Sequence, residues 1–151
     1  MKMRVLLVIF LLFLVPLQAQ NVGSLNYINE LGDREAATYG DAVKFFMMIQ
    51  NRDQGSFQGN LAALNRSGIT RGIRSGETSL LDRGTLSLMA ARYLDLKDSL
   101  FYLITGSGRY AFRACIEEGL MDSEAGEWDV VSGEELIETM AKVAEKKEAV
   151  K

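Results

Sequence analysis

The side chains that most often perform catalysis in small proteins are scarce in this chain. Its 151 residues include no histidine and a single cysteine, Cys115. Without an imidazole, the chain has no Ser-His-Asp or Cys-His nucleophile, no histidine general base and no histidine ligand for zinc or haem. One cysteine forms neither an internal disulfide nor a thiolate metal site. We therefore predict a protein that is not an enzyme and that needs no metal or cofactor.

Two short segments have compositions typical of ion-binding loops, but neither completes its motif. Residues 106–109 (Gly-Ser-Gly-Arg) would suit an anion at a helix start, yet they lack the Gly-Lys-Ser/Thr ending of a phosphate-binding loop. Residues 122–126 begin like a calcium loop, but Glu127 and Gly133 stand where an EF-hand needs glycine and a bidentate glutamate. We interpret the first segment as an interhelical turn and exclude an EF-hand at the second.

Aromatic and methionine residues are stronger candidates for binding. Trp128 lies in a glycine-containing loop, where it would either stack on a sugar or pack over the end of a structural repeat. Residues 45–48 (Phe-Phe-Met-Met) cover more than one face of a predicted helix, which indicates either deep burial or a partner-binding surface. We predict Trp128 as a ligand-binding residue, and we predict a partner-binding surface formed by Phe45, Phe46 and Met48.

The first 19 residues have the pattern of a secretory signal peptide. Lys2 and Arg4 precede an apolar run from Val5 to Leu17, and Ala19 offers a small residue at the cleavage position. The run is shorter than the roughly 20 apolar residues that span a bilayer, although an uncleaved anchor is the alternative. We predict export to the periplasm or cell envelope, with cleavage after Ala19. Cleavage removes two of the 17 basic residues and none of the 20 acidic ones, and the resulting net charge of about −5 disfavours nucleic acid as a partner.

The sequence after this leader predicts an all-α fold. No proline follows Pro16, and apolar residues recur at spacings of three and four. Residues of the types that cap helices precede these patterns, and glycines follow two of them. The predicted caps are Asp33, Ser56, Asp82 and Ser132, the glycine stops are Gly68 and Gly119, and a further short helix is predicted over residues 96–104.

The helical segments recur at a spacing of about fifty residues. Residues 31–34 (Leu-Gly-Asp-Arg) align with residues 80–83 (Leu-Leu-Asp-Arg), and residues 61–69 align with residues 112–120. A period of this length is typical of repeat architectures, in which each unit buries its apolar face against the next. We predict one helical domain over residues 20–151, with repeat one at about 31–80, repeat two at about 81–131 and a closing helix at about 132–150.

The stretch from Gly119 to Leu136, which includes Trp128, resembles an S-layer-homology repeat. In that family Gly-Ile is followed by a loop with a glycine and an aromatic residue, and then by Ile-Thr-Arg-Ala-Glu-Phe at a helix start. Residues 81–86 (Leu-Asp-Arg-Gly-Thr-Leu) fit this opening, and residues 32–37 fit it more loosely. The chain departs from the family pattern in having no proline after the tryptophan and two full units instead of three.

This resemblance implies how a ligand would be bound. The family is implied to bind cell-wall polysaccharide in grooves between repeats, with the arginine that follows the helix cap contacting the acidic glycan. In this sequence the matching ligand-binding residues are Arg34 and Arg83, whereas the third position is Gly133.

Together these features predict an exported bacterial envelope protein that binds peptidoglycan or an attached polysaccharide. The alternative is a periplasmic interaction module, either an assembly factor or a structural subunit, that docks a partner protein on the Phe/Met surface. The expected partners are a cell-wall glycan or an envelope protein, with self-association as a further option, and not nucleic acid.

Overall fold

The structure is a computed structural model in which residues 23–96 and 106–149 are described. These residues form helices and isolated bridges, with no extended strand among them, so the predicted all-α fold is confirmed. The predicted signal peptide and all but the first residue of the predicted helix at 96–104 lie outside the described residues. Helix α1 includes residues 23–32, and it is followed by α2 (Tyr39–Met48), α3 (Phe57–Arg66), α4 (Arg83–Leu94), α5 (Gly108–Glu117) and α6 (Gly133–Ala149).

Side-chain caps start four of these helices, and three of the four were predicted. The side chains of Ser56, Asp82 and Ser132 each accept a hydrogen bond from the backbone N–H three residues further on. Each bond satisfies one of the donors that a helix start leaves without an intrahelical partner. These local signals therefore place the starts of α3, α4 and α6 correctly.

The predicted cap at Asp33 is wrong, because α2 starts five residues later than expected. Thr38 is the N-cap, and its side chain accepts a hydrogen bond from the backbone N–H of Asp41. The Asp41 carboxylate in turn accepts from the Thr38 backbone N–H, which completes a capping box. Because this reciprocal pair satisfies two backbone donors at once, it stabilises a helix start at Tyr39 more than Asp33 alone would stabilise an earlier start.

The segments that lead into α2, α4 and α6 meet in a closed ring of backbone hydrogen bonds. Leu81 N donates to Ala37 O at 3.0 Å, Val131 N donates to Leu81 O at 2.8 Å, and Ala37 N donates to Val131 O at 2.8 Å. The three side chains are buried, with at most 1% of their surface exposed. We call this arrangement the junction ring. It brings the starts of three helices to one place although they are far apart in sequence.

A second cycle of backbone hydrogen bonds, which runs from donor to acceptor in the opposite order, involves the first residue of each of these helices. Each first residue donates its backbone N–H to a carbonyl in the segment that precedes the next helix around the ring. The bonds are Tyr39 N to Ser79 O, Arg83 N to Asp129 O, and Gly133 N to Arg34 O.

The core lies beneath the junction ring and is formed mainly by α2, α4 and α6. Phe46 is fully buried and packs edge-on against Tyr93, with ring centroids 5.7 Å apart. Helix α5 covers α4 from outside, and α3 packs on α2. The other large side chains that are almost completely buried include Met47, Leu86, Met89, Leu136, Met140 and Val143.

Gly133 permits the closest backbone approach at the junction. A Cβ atom at this position would lie 1.7 Å from the carbonyl oxygen of Leu31, at the end of α1. No side chain fits at that distance, so α1 and α6 must separate to admit one.

We expect Gly133→Ala to lower the free energy of unfolding by about 3 kcal/mol or more, because overpacking here displaces backbone and not a flexible side chain. Urea unfolding followed by circular dichroism measures the change. Gly32→Ala is the matched control, since its added Cβ would meet only Ile137 Cδ1 at 3.6 Å. Equal stability of the two variants would contradict the packing assigned to Gly133.

Candidate functional site

A groove lies between the starts of α4 and α5 and the loop that contains Trp128. Its volume is about 520 Å³, and its walls include Thr85, Leu88, Arg109 and Tyr110. Trp128 stands at this groove with 79% of its surface exposed. We call this hollow the Trp128 groove. It combines an exposed indole with polar side chains from two helices.

Two glycines allow the walls of the Trp128 groove to approach each other. Gly84 N donates to Glu127 O at 2.7 Å, which fastens the loop to the first turn of α4. A Cβ on Gly84 would lie 3.2 Å from that oxygen, and a Cβ on Gly108 would lie 3.2 Å from the oxygen of Gly84. Larger residues at either position would therefore push the loop or α5 outward and change the width of the groove.

Each charged side chain that lines the groove has a hydrogen-bond partner. Arg109 Nε donates to Glu127 Oε1 at 2.9 Å, and the arginine side chain remains 61% exposed. Hydrogen bonding to Glu127 raises the pKa of Arg109, so this cation persists across the physiological range. The Asp82 carboxylate accepts from both the backbone N–H and the hydroxyl of Thr85, so it is occupied as a helix cap.

A second groove of about 420 Å³ is built on the same plan around the starts of α2 and α3. Gly40 N donates to Glu77 O at 2.9 Å, as Gly84 does to Glu127 in the first groove. Thr78 takes the position after this acceptor that Trp128 takes after Glu127. We call it the Arg34 groove after the predicted residue that lines it.

Asp41 organises the Arg34 groove. It is 6% exposed, and its carboxylate accepts hydrogen bonds from the Tyr27 hydroxyl, the Arg34 guanidinium and both the backbone and hydroxyl of Thr38. Burial raises the pKa of Asp41, but the hydrogen bonds from Thr38 and Tyr27 and the charge of Arg34 outweigh it and hold the pKa below its usual value. Burial of Tyr27, together with the negative charge of Asp41, raises the pKa of that phenol. Arg34 therefore joins the segment after α1 to the first turn of α2, and Tyr27 joins α1 itself to the same carboxylate.

Arg83 lies outside both grooves. Its Nε and NH2 atoms donate to the two carboxylate oxygens of Glu135 at 2.5 and 2.7 Å, and its NH1 atom lies 3.2 Å from Asp129. Only 17% of its side chain is exposed. The resemblance implied that this arginine contacts a glycan, but in the structure it joins the start of α4 to α6.

The structure does not bring the three predicted ligand residues together. Arg34, Arg83 and Trp128 line three separate hollows. In the sequence analysis Arg109 was considered only as part of an interhelical turn, and Asp41 was not singled out. The Thr38–Asp41 spacing matches a capping box, and this sequence signal could have identified Asp41. The position of Arg109, by contrast, depends on how α5 approaches α4.

The predicted partner-binding surface is mostly in the core. Phe46 is fully buried, Phe45 is 7% exposed, and Met48 is half-buried. Of the two interpretations of this stripe, deep burial describes Phe45 and Phe46, because α2 is covered by α3, α6 and the Tyr93 ring. These two residues therefore offer no exposed surface to a partner.

Other classes of site find little support in the described part of the chain. Residues 23–96 and 106–149 contain no cluster of histidine, cysteine, aspartate and glutamate suited to a metal ion. Cys115 is buried, and burial raises the pKa of its thiol to about 12. Among the described helices, none combines the length and apolarity that a bilayer crossing requires.

No protein-family model, curated protein or solved structure matches this chain. The similarity to S-layer-homology repeats therefore stays a prediction from the sequence.

We expect Arg83→Ala to lower the free energy of unfolding by about 1–3 kcal/mol, because it leaves Glu135 without its bidentate partner. Arg83→Lys is the matched variant that keeps the charge but loses the two-point geometry, so it should fall between wild type and Arg83→Ala. Urea unfolding of both variants, and of Glu135→Ala alone and combined with Arg83→Ala, measures the coupling. Additive effects of the two alanine substitutions would show that the pair contributes no coupling energy.

Proposed function

We propose that this chain is an exported, non-enzymatic protein of the cell envelope that binds peptidoglycan or an attached polysaccharide through the Trp128 groove. The observation that carries the proposal is the 79% exposure of Trp128 beside a polar hollow. The flat apolar face of an exposed indole suits the apolar face of a sugar ring, and a ligand that covers it removes this face from water.

The lining of the groove suits a hydroxyl-rich ligand. The exposed Arg109 guanidinium supplies donors, the Glu127 carboxylate supplies acceptors, and the Thr85 hydroxyl lies in the same wall. A concave site with few convergent polar groups around an aromatic surface is the usual form of a small-ligand site. Because Arg109 and Glu127 already orient each other, a sugar would meet groups that need little reorganisation.

The junction ring supports a repeat origin for this site. We infer that Thr38, Asp82 and Ser132 are equivalent helix caps, so α2–α3 and α4–α5 form two units and α6 closes the ring. In this register the residues after the caps are Tyr39, Arg83 and Gly133, and Arg34 has no counterpart. Ligand contact is therefore assigned mainly to the Trp128 loop, with Arg34 in a secondary groove.

Retention on purified sacculi tests the proposal. We expect Trp128→Ala to weaken retention about tenfold, since loss of one aromatic contact is worth about 1–1.5 kcal/mol. Trp128→Phe should retain part of the binding, because a smaller ring still stacks.

Leu80→Ala is the matched control, because Leu80 is also exposed, at 61%, but lies outside the grooves. Thermal unfolding of all three variants checks that the fold is intact. Absence of wild-type retention, or equal retention of wild type and Trp128→Ala, would overturn the proposal.

A second candidate function, docking of a partner protein, is favoured by two exposed apolar residues near the junction ring. Leu80 is 61% exposed and Val130 is 43% exposed, and both lie in the bridges that flank helix starts. Loss of a co-purifying envelope protein in a Leu80→Ser, Val130→Ser variant that still binds sacculi would assign docking to this surface.

A further inference from the structure

The charges of this acidic protein are separated along its sequence. Residues 54–76 contain three arginines and no aspartate or glutamate. Residues 114–138 contain nine acidic residues and no lysine or arginine. The net charge of the whole chain conceals this separation.

The fold places the basic segment at the end of α4 and the later part of the acidic segment, which we call the acidic end, at its start, whereas Glu118 pairs with Lys146 of α6. At its start, Arg83 contacts Asp129 and Glu135 of the acidic segment. At its other end, Arg92 NH1 donates to the carbonyl oxygens of Ile69 and Arg71, at 3.1 and 2.8 Å. Helix α4 has 12 residues, so the two ends are about 18 Å apart.

The basic segment carries three exposed cations, of which Arg66 also donates a hydrogen bond to the carbonyl oxygen of Ala62. Arg66, Arg71 and Arg74 are exposed, and none of them forms an ion pair with any described residue. Arg92 lies beside them and holds the loop. Turns at Gly68 and Gly72, both with positive φ, set the path of this segment. We call Arg66, Arg71, Arg74 and Arg92 the arginine face.

The arginine face suits an extended anionic surface better than a small ligand or a nucleic acid. It lines neither groove nor the acidic hollow beside Arg83. Residues 58–76 contain no aromatic residue on which bases could stack. Guanidinium groups bind phosphate oxygens well, and anionic lipid headgroups present these in a plane.

We propose that the arginine face binds the surface of a membrane that contains anionic phospholipid. The inference rests on the proposed export, which brings the chain to the envelope, and not on glycan binding. At physiological salt the Debye length is about 8 Å, so charges about 18 Å away at the acidic end are largely screened from the membrane. Asp129 and Glu135, at the start of α4, would then face away from the lipid.

Co-sedimentation with vesicles tests this inference. The vesicles contain phosphatidylglycerol and phosphatidylcholine at roughly one to two, and vesicles of phosphatidylcholine alone measure any contribution of the apolar leader. We expect wild type to sediment with the mixed vesicles at about 0.1 M salt and to dissociate at about 1 M salt.

Arg71→Gln, Arg74→Gln should lower the partition coefficient about 25-fold, since each cation near an anionic leaflet contributes roughly a factor of five. The control Arg113→Gln, Lys142→Gln removes the same charge elsewhere, from an exposed arginine and from a half-buried lysine paired with Glu138, and should change binding less than threefold. Arg66 is left intact because it lies in the last turn of α3, where its charge favours the helix.

Two outcomes would overturn the inference: no sedimentation of wild type with mixed vesicles, or equal loss in the two double variants. A salt-sensitive dimer that is lost in Arg71→Gln, Arg74→Gln without vesicle binding would assign the arginine face to a second copy of the chain instead. Retention of vesicle binding by Trp128→Ala, and of sacculus binding by Arg71→Gln, Arg74→Gln, keeps the failure of this inference distinct from that of the proposed function.

Discussion

The junction ring is the constraint on which the rest of the structure depends. Three hydrogen bonds among Ala37, Leu81 and Val131 join segments that are separated by 44 and 50 residues, and the three side chains close the top of the core. Because the bonds form a cycle, moving one helix start requires the other two to move as well. Leaving a buried backbone N–H or C=O group without a partner costs about as much free energy as losing a hydrogen bond. The ring therefore resists partial opening.

The two grooves follow from this ring. Each lies where the first turn of one helix meets the loop before the next, and in each a glycine N–H is hydrogen-bonded to a loop carbonyl. The backbone plan is shared, but the side chains differ. Trp128 gives one groove an exposed indole, whereas Thr78 takes the equivalent position in the other, where Asp41 binds Arg34 and Lys44 lies over the Tyr27 ring.

The predicted roles of charged residues changed most once their surroundings were known. Arg83 follows a helix cap, which suggested a contact to an acidic glycan, but Glu135 lies 52 residues later and reaches it only through the packing of α6 on α4. In a chain of net negative charge, no sequence motif singles out Arg71 and Arg74. Net charge averages over the molecule, whereas screening makes each surface respond to charges within about a nanometre.

Local features of the sequence determined the helices of this protein. The caps at Ser56, Asp82 and Ser132 act within one turn of their helices, so they were predictable without knowledge of the fold. The capping box of Thr38 and Asp41 is equally local, although Thr38 was not among the predicted caps. The tertiary structure alone decided that the Phe45–Met48 stripe is mostly buried. It also decided that Trp128 stands in water beside Arg109. These outcomes depend on which segments meet at the junction ring. That choice is made by long-range hydrogen bonds and packing, whose partners are separated by tens of residues and leave no periodic signal in the sequence.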